Sequence, residues 1–405
     1  MDKSKNLRYL LGVTCFTAIL DVFYNTFLIS RFYNLSGGDA NKVISIYYII
    51  VYATIPFISL IFRRYFKAKS TEAMRSGVII NALLMILISA MNDQMLISVY
   101  GIIGFLFGVS QAFYYVPYSV VVATFAGKNS IRYCATSNMI FNIANIVFPI
   151  TLGKIIDANS FRSVAIALTV LAILQVVLTF KVENIRNRVE FNFHEFFKLI
   201  KNNIEERKKV ENTAKITFYK GVNTSVLDRT VLLLIKSMFE TEFELGRLTT
   251  IFAIITILVN YLAQKIFRKK NGENISSKQF SYMKIILIFS MISVTSAIMY
   301  LIVMPSKNSF VIFRLISSIF ITIILLLTDM NHYDVSSETG NFKAEFQIFT
   351  EFCLGLGKVG GMAVLLIVDY IIGSIFAIDA VLIVIASIVI MHARTLLKNF
   401  SKAID

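Results

Sequence analysis

The sequence is short of charge, and that shortage sets the first limit on what the protein can be. Asp, Glu, Lys and Arg make up only 16% of its 405 residues against 56% hydrophobic residues, and the mean hydropathy is +0.70. A water-soluble globule of this composition would carry more apolar surface than it could bury, so an integral membrane protein is expected. Cysteine is scarce as well: Cys15, Cys134 and Cys353 all fall inside apolar runs, which points to buried thiols and away from a disulfide framework or a metal site. Tryptophan is absent, leaving 18 tyrosines to serve an interfacial aromatic belt. No phosphate-cradling loop, paired metal motif or nucleophile with a plausible base occurs, so no catalytic residue, cofactor or ATP hydrolysis is expected.

Negative charge is the scarcer sign. The 40 Lys and Arg outnumber the 25 Asp and Glu, for a formal charge of +15. Such a balance can mark a nucleic-acid binder, but here the bases gather in short connections between apolar runs, as membrane orientation requires. The opening MDKSKNLR is like a signal peptide's charged region. The apolar stretch after it runs on through Asp21 without a small-residue cleavage site, so a retained first helix is expected.

Runs of membrane-crossing length predict helices over 8–31, 41–62, 72–91, 95–124, 131–155 and 161–181, then 213–238, 244–267, 280–303, 309–331, 342–370 and 374–394. With the N-terminus inside, the inner segments hold about 29 of the Lys and Arg and the outer ones about 8, the ratio that the positive-inside rule demands. An even number of crossings then places both termini in the cytoplasm. The long polar stretch KVENIRNRVEFNFHEFFKLIKNNIEERKKVENTAK, from Lys181 to Lys215, falls near the midpoint. Its interleaved bases and aromatics predict a short amphipathic helix on the inner membrane surface, with a solvated linker as the other reading. The expected architecture is an all-α integral membrane protein of twelve transmembrane helices in two pseudo-symmetric bundles, residues 1–181 and 213–405, joined by a cytoplasmic linker over 182–212.

Echoes between the halves support an internal repeat. Arg63, Arg64, Lys67, Lys69 and Arg75 follow helix 2, and Lys265, Arg268, Lys269 and Lys270 follow helix 8. NTFLISRFY from Asn25 pairs with RTVLLLIKS from Arg229, and VPYS ending at Ser119 pairs with NHYD ending at Asp334, each with a glycine soon after, Gly127 and Gly340. Together with the six-plus-six count, the midpoint linker and the Pro149 to Gly153 element before Asp157, these features make the chain resemble the major facilitator superfamily of secondary transporters over essentially its whole length. The loop SLIFRRYFKAKS keeps the positive charge usual there but not the glycines and aspartate. The resemblance implies a midplane cavity lined by helices 1, 4, 5, 7, 10 and 11.

A charge at mid-bilayer costs about 2.5–3.5 kcal/mol even on the lenient insertion scale, so each one needs a reason. Asp21 on helix 1, Asp228 on helix 7 and Glu351 on helix 11 are proton-coupling candidates, Asp21 first because helix 1 offers no base until Arg31. Cavity candidates are Asn25, then Gln111, Tyr114, Tyr115 and Tyr118 on helix 4, and Asn138, Asn142 and Asn145 at i, i+4, i+7 on helix 5. Lys220, Asn223, Arg229 and Lys358 complete the set from helices 7 and 11. Structural readings stay open beside these: an ion pair of Asp228 with Lys220 or Lys358, interhelical bonding by the asparagines, plain packing by the tyrosines. Arg63, Arg64, Asp329, His332 and Asp334 are inner-gate candidates, with a solvated helix end as the other reading. The glycines of helix 4 (Gly101, Gly104, Gly108) and helix 11 (Gly355, Gly357, Gly360, Gly361) predict close helix approach.

The function expected is secondary active transport of a small polar or amphiphilic solute across the cytoplasmic membrane, coupled to protons, with efflux preferred. A lipid or lipid-linked headgroup flippase of the same fold and a nutrient importer are the other readings. The expected partners are the lipid bilayer, a small-molecule substrate and protons, with no nucleic acid and no metal, in a monomer.

Overall fold

The computed structural model describes residues 3–126, 130–185, 191–238, 241–267, 277–338, 342–372 and 377–401. Among these every regular element is helical. Lipid offers no partner for backbone N–H and C=O groups, so long apolar runs must satisfy them internally, and the α-helix does so. The long helices are α1 Lys3–Val22, α2 Ala40–Ile61, α3 Ser70–Ala90, α4 Tyr100–Ala126, α5 Ser130–Ala158 and α6 Phe161–Thr179. After the midpoint come α7 Ile204–Met238, α8 Glu242–Phe267, α9 Ser277–Val303, α10 Lys307–Glu338, α11 Lys343–Ile372 and α12 Ala377–Ser401.

Ten described segments are long and apolar enough to cross a membrane, the first of them, Ser4–Ile61, joining two expected spans. The exception is α7, whose charged residues keep it outside that set although it is 35 residues long. Two boundaries differ from expectation. The expected fourth helix is broken at Val99, because Asn92 caps a separate short helix, Asp93–Ser98, by accepting from the Met95 N–H at 2.8 Å. The seventh begins nine residues early: Asn203 accepts from the N–H groups of Glu205 and Glu206, and an Arg207–Glu211 pair supports the first turns.

The chain divides into two compact units, Met1–Phe193 with Ile235–Thr250, and His194–Leu234 with Ile251–Asp405. In the first, α3 packs on α4 and α6, α2 packs on α4, and α1 lies against α4, α5 and α6. Met74, Val78, Met85 and Ile88 bury one face of α3, while Leu83 on the other is 60% exposed, an apolar surface that suits lipid. Arg75 ties down the C-terminal end of α6, donating to the carbonyls of Thr179 and Val182 and to Asn184. At the other end Asp157 accepts from the N–H groups of Glu242 and Phe243, capping α8, and Glu242 accepts from Ser30 and Asn34. Gly246 admits α5 here, since a Cβ at that position would overlap the Pro149 carbonyl.

In the second unit α9 packs on α10 and α12, so the pairings of α3 with α4 and α6 recur one repeat later. The helix Phe193–Asn202 turns its apolar edge to protein: Phe196 is fully buried with its ring near Phe342 and Phe349, and Phe197 meets Phe349 edge-on. Close approach of α7 and α11 depends on Gly357, where a Cβ would overlap the Phe218 carbonyl. By contrast, a Cβ at Gly360 would meet nothing within 4 Å.

Candidate functional site

In the first unit the polar centre is Asp21. It sits in the last turn of α1, and the helix continues as a π-helix over Phe23–Leu28 before resuming over Ile29–Ser36. π-turns are rare and concentrate at functional sites. Inside this one, the Asn25 amide donates to the Asp21 carbonyl at 3.0 Å and its oxygen lies 3.5 Å from the Tyr48 hydroxyl. The Asp21 carboxylate accepts from the Tyr115 hydroxyl at 2.6 Å and from the Gln111 amide at 3.4 Å. Among the described residues no cationic side chain bears on it. Tyr115 is 40% exposed, and Asp21 is half-buried.

One to two turns further in, Thr14 and the hydroxyls of Tyr118 and Tyr133 form a buried run, with separations of 2.7 Å and 2.9 Å. Thr14 donates to the Leu10 carbonyl, so it accepts from Tyr118, which in turn accepts from Tyr133. The Tyr114 ring stacks on Tyr118 at 5.2 Å, and its buried hydroxyl has no partner among the described residues. Gln175 of α6 donates to Thr17 at 2.7 Å and locks α1 in place.

The second unit holds a denser polar network. Lys220 of α7 donates to Asp329 of α10. One turn along, the buried Asn223 amide nitrogen meets His392 Nδ1 at 2.8 Å, and His392 Nε2 meets Thr328 Oγ1 at 2.9 Å. An amide N–H can only donate, so Nδ1 accepts and the ring proton sits on Nε2. Thr328 passes its own proton to the Ile324 carbonyl, so the neutral imidazole joins α7, α10 and α12 with every proton assigned. Tyr219 stacks on the ring at 6.4 Å. At the C-terminal end of α10, beyond the apolar span, His332 Nε2 donates to Gln347, which donates to Glu351 at 3.2 Å. Burial holds the His332 imidazole below the ordinary histidine range.

A family model described as the Major Facilitator Superfamily matches residues 10–337. The chain belongs to that superfamily. No curated protein matches it in sequence. Solved structures with the same fold include that of the human organic anion transporter MFSD10 (TETRAN), 10% identical, with 98% of this chain and 100% of that one covered and a TM-score of 0.67. A POT family transporter in complex with 5-aminolevulinic acid is 12% identical, with 98% and 96% covered and a TM-score of 0.70. The nucleoside transporter NupG is 13% identical, with 99% of both chains covered and a TM-score of 0.64. Family and fold are those of a multi-pass membrane transporter rather than an enzyme.

Within this superfamily member, the expected residues distribute unevenly. Asp21, Asn25, Gln111 and Tyr115 come together in the first unit, with Tyr114 and Tyr118 just inward of them. Asn142 is half-buried and Asn145 exposed on α5, and among the described residues neither bonds to Asp21. The side chains of Asn138, Asp228 and Asp334 lie outside the described part of the structure, as do Gly127, Gly340, Arg268, Lys269 and Lys270. Lys220 has Asp329 as a partner, and the expected pairing of Asp228 with Lys220 or Lys358 lies outside the described residues. Arg229 is buried and Lys358 half-buried. Arg63 closes the end of α2 by donating to the Leu60 carbonyl at 2.6 Å, and Arg64 is exposed. Sequence reasoning missed His392, Thr328 and Gln347. A histidine within the apolar run of α12 was the one available signal.

Proposed function

We propose that the protein is a secondary active transporter that moves a small polar or amphiphilic solute across the cytoplasmic membrane by alternating access, driven by protons and working in the export direction. The observation that carries this is Asp21, a carboxylate in the middle of an apolar helix with neutral partners and no described base. An unpaired carboxylate at that depth changes its proton affinity whenever its hydration changes, which is what coupling to a proton gradient requires. Bundles 1–181 and 213–405, joined by the linker 182–212, are the two moving parts of that cycle. Lys220, Asn223, Arg229 and Lys358 are the substrate contacts contributed by the second bundle, with Asp228 and Glu351 as further proton-coupling groups. Arg63, Arg64, Asp329, His332 and Asp334 serve as the inner gate. Both termini lie in the cytoplasm, a reading supported by the concentration of Lys and Arg in alternate loops, and the monomer is the working unit.

The test uses proteoliposomes with an imposed pH gradient and a panel of labelled amines, amino acids, nucleosides and fluorescent lipids. Gradient-driven movement of at least one soluble solute is expected, with Asp21→Asn losing accumulation but keeping solute exchange. Unchanged accumulation in that variant removes Asp21 from the coupling role. Translocation of lipid alone favours a flippase instead.

A further inference from the structure

We infer that Asp21, Tyr115 and Asn25 form the seat for the cationic nitrogen of an organic ammonium solute, and that this cation and the coupling proton occupy the one carboxylate in turn. The inference rests on the reading of Asp21 as the coupling carboxylate and names what it binds when the proton is gone. An ionised carboxylate has about four acceptor positions, and the two neutral donors, Tyr115 and Gln111, leave the others open. The titratable groups that face it are Tyr24 from the π-turn and Tyr114 and Tyr115 from α4, phenols that carry no charge near neutrality. From α5 the described titratable groups are the Tyr133 phenol, which bonds to Tyr118, the exposed Lys154, and Asp157, which is engaged in capping α8; the amides Asn142 and Asn145 do not titrate. The counter-charge is therefore one that a ligand can supply.

Two features choose the kind of cation. Metal ions of the calcium or magnesium type take about six or more oxygens, whereas the described residues contain no group of three or more His, Cys, Asp or Glu. The groups a ligand can reach are one carboxylate, the exposed amide of Asn25 and the 40% exposed ring of Tyr115. A single full charge beside an aromatic face complements a monovalent cation with an organic body. The π-turn supports this: it breaks the regular ladder at Phe23–Leu28 and uses the Asn25 amide to satisfy the Asp21 carbonyl, a distortion that packing of an inert helix does not need. A proton and an ammonium group cannot share the carboxylate, so loading one releases the other.

The experiment is equilibrium dialysis of the purified, detergent-solubilised protein against labelled choline, benzylammonium and benzyltrimethylammonium, with 3,3-dimethylbutanol as the uncharged shape match of choline. Saturable binding of at least one cation is expected, with about one proton released per cation bound and with affinity falling about tenfold per pH unit on the acid side of the Asp21 titration. Asp21→Asn is expected to weaken binding at least about tenfold and Tyr115→Phe a few-fold, while Asp21→Glu keeps both binding and proton release. Absence of saturable binding by all three cations, equal binding of 3,3-dimethylbutanol, or an unaltered affinity in Asp21→Asn overturns the inference. An Asp21→Asn protein that loses gradient-driven accumulation but keeps cation affinity overturns the seat and leaves the coupling role standing. One that loses cation affinity yet still accumulates solute overturns the coupling role, and the shared carboxylate with it.

Discussion

Replacing Gly77 by alanine should loosen the first unit at the place that positions Tyr114 and Tyr115. Gly77 lies on α3 where α4 crosses it, and a Cβ there would stand 2.7 Å from the Tyr114 nitrogen, 2.8 Å from the Phe113 carbonyl carbon and 2.9 Å from the Ser110 oxygen. Ordinary contact begins at 3.4 Å, and all three neighbours are backbone, so no rotamer change can make room. The helices must part by about half an ångström or more, an overpacking cost of roughly 1–3 kcal/mol. Three simultaneous overlaps argue for the upper end, about 3 kcal/mol, from which alanine's helix preference over glycine returns about 1 kcal/mol. A net loss of about 2 kcal/mol should lower the unfolding temperature of the purified protein by about 2–4 °C. Gly360→Ala is the matched control: it gains the same helix preference and meets nothing within 4 Å, so its unfolding temperature should equal or exceed the parent's. Thermal unfolding in detergent, followed by a thiol-reactive dye or by loss of monodisperse protein, measures both. The reasoning fails if Gly77→Ala unfolds at or above the parent temperature, or if both alanines shift it the same way.

Two further outcomes follow from the second unit. His392→Phe keeps the ring volume and the Tyr219 stack but removes both hydrogen bonds, so it should cost about 2–4 kcal/mol in stability, while His392→Gln, which restores a donor and an acceptor, recovers part of that loss in the same thermal assay. His332 is neutral in the folded protein because burial depresses its proton affinity, so its contribution to stability is present above the unfolded-state value of about 6.5 and declines as pH falls below it. His332→Gln should flatten that acid-side slope in unfolding temperature measured between pH 7.5 and 5, and an unchanged slope would assign the effect to other groups.

The architecture was readable because lipid imposes a strong local rule: a run long and apolar enough to cross must be a helix, and charged breaks mark its ends. The same rule exposed Asp21, since one carboxylate in such a run stands out without knowledge of any partner. Partners are another matter. Lys220 lies 109 residues from Asp329 and Asn223 lies 169 from His392, and no local pattern encodes those meetings. The sequence offered Lys220 only Asp228, a neighbour on its own helix whose side chain lies outside the described residues, and the fold adds a partner on α10. Asn203 and Asn92 were legible only afterwards as caps, because asparagine also suits an ordinary loop. The π-turn left no mark in composition, since FYNTFL reads as well in an ordinary helix; tertiary packing chooses between the two.

That turn also has an angular consequence. A π-turn holds roughly one residue more than an α-turn, so everything beyond it is rotated by about 100° from where an unbroken helix would have carried it. Asp21 and the later residues Ser30 and Asn34 thus belong to two differently phased stripes of a single rod. The first stripe faces Gln111 and Tyr115, and the second is swung round to meet Glu242. Deleting one residue within Phe23–Leu28 would bring the stripes back into phase, and the rod could then satisfy α4 or Glu242 but not both.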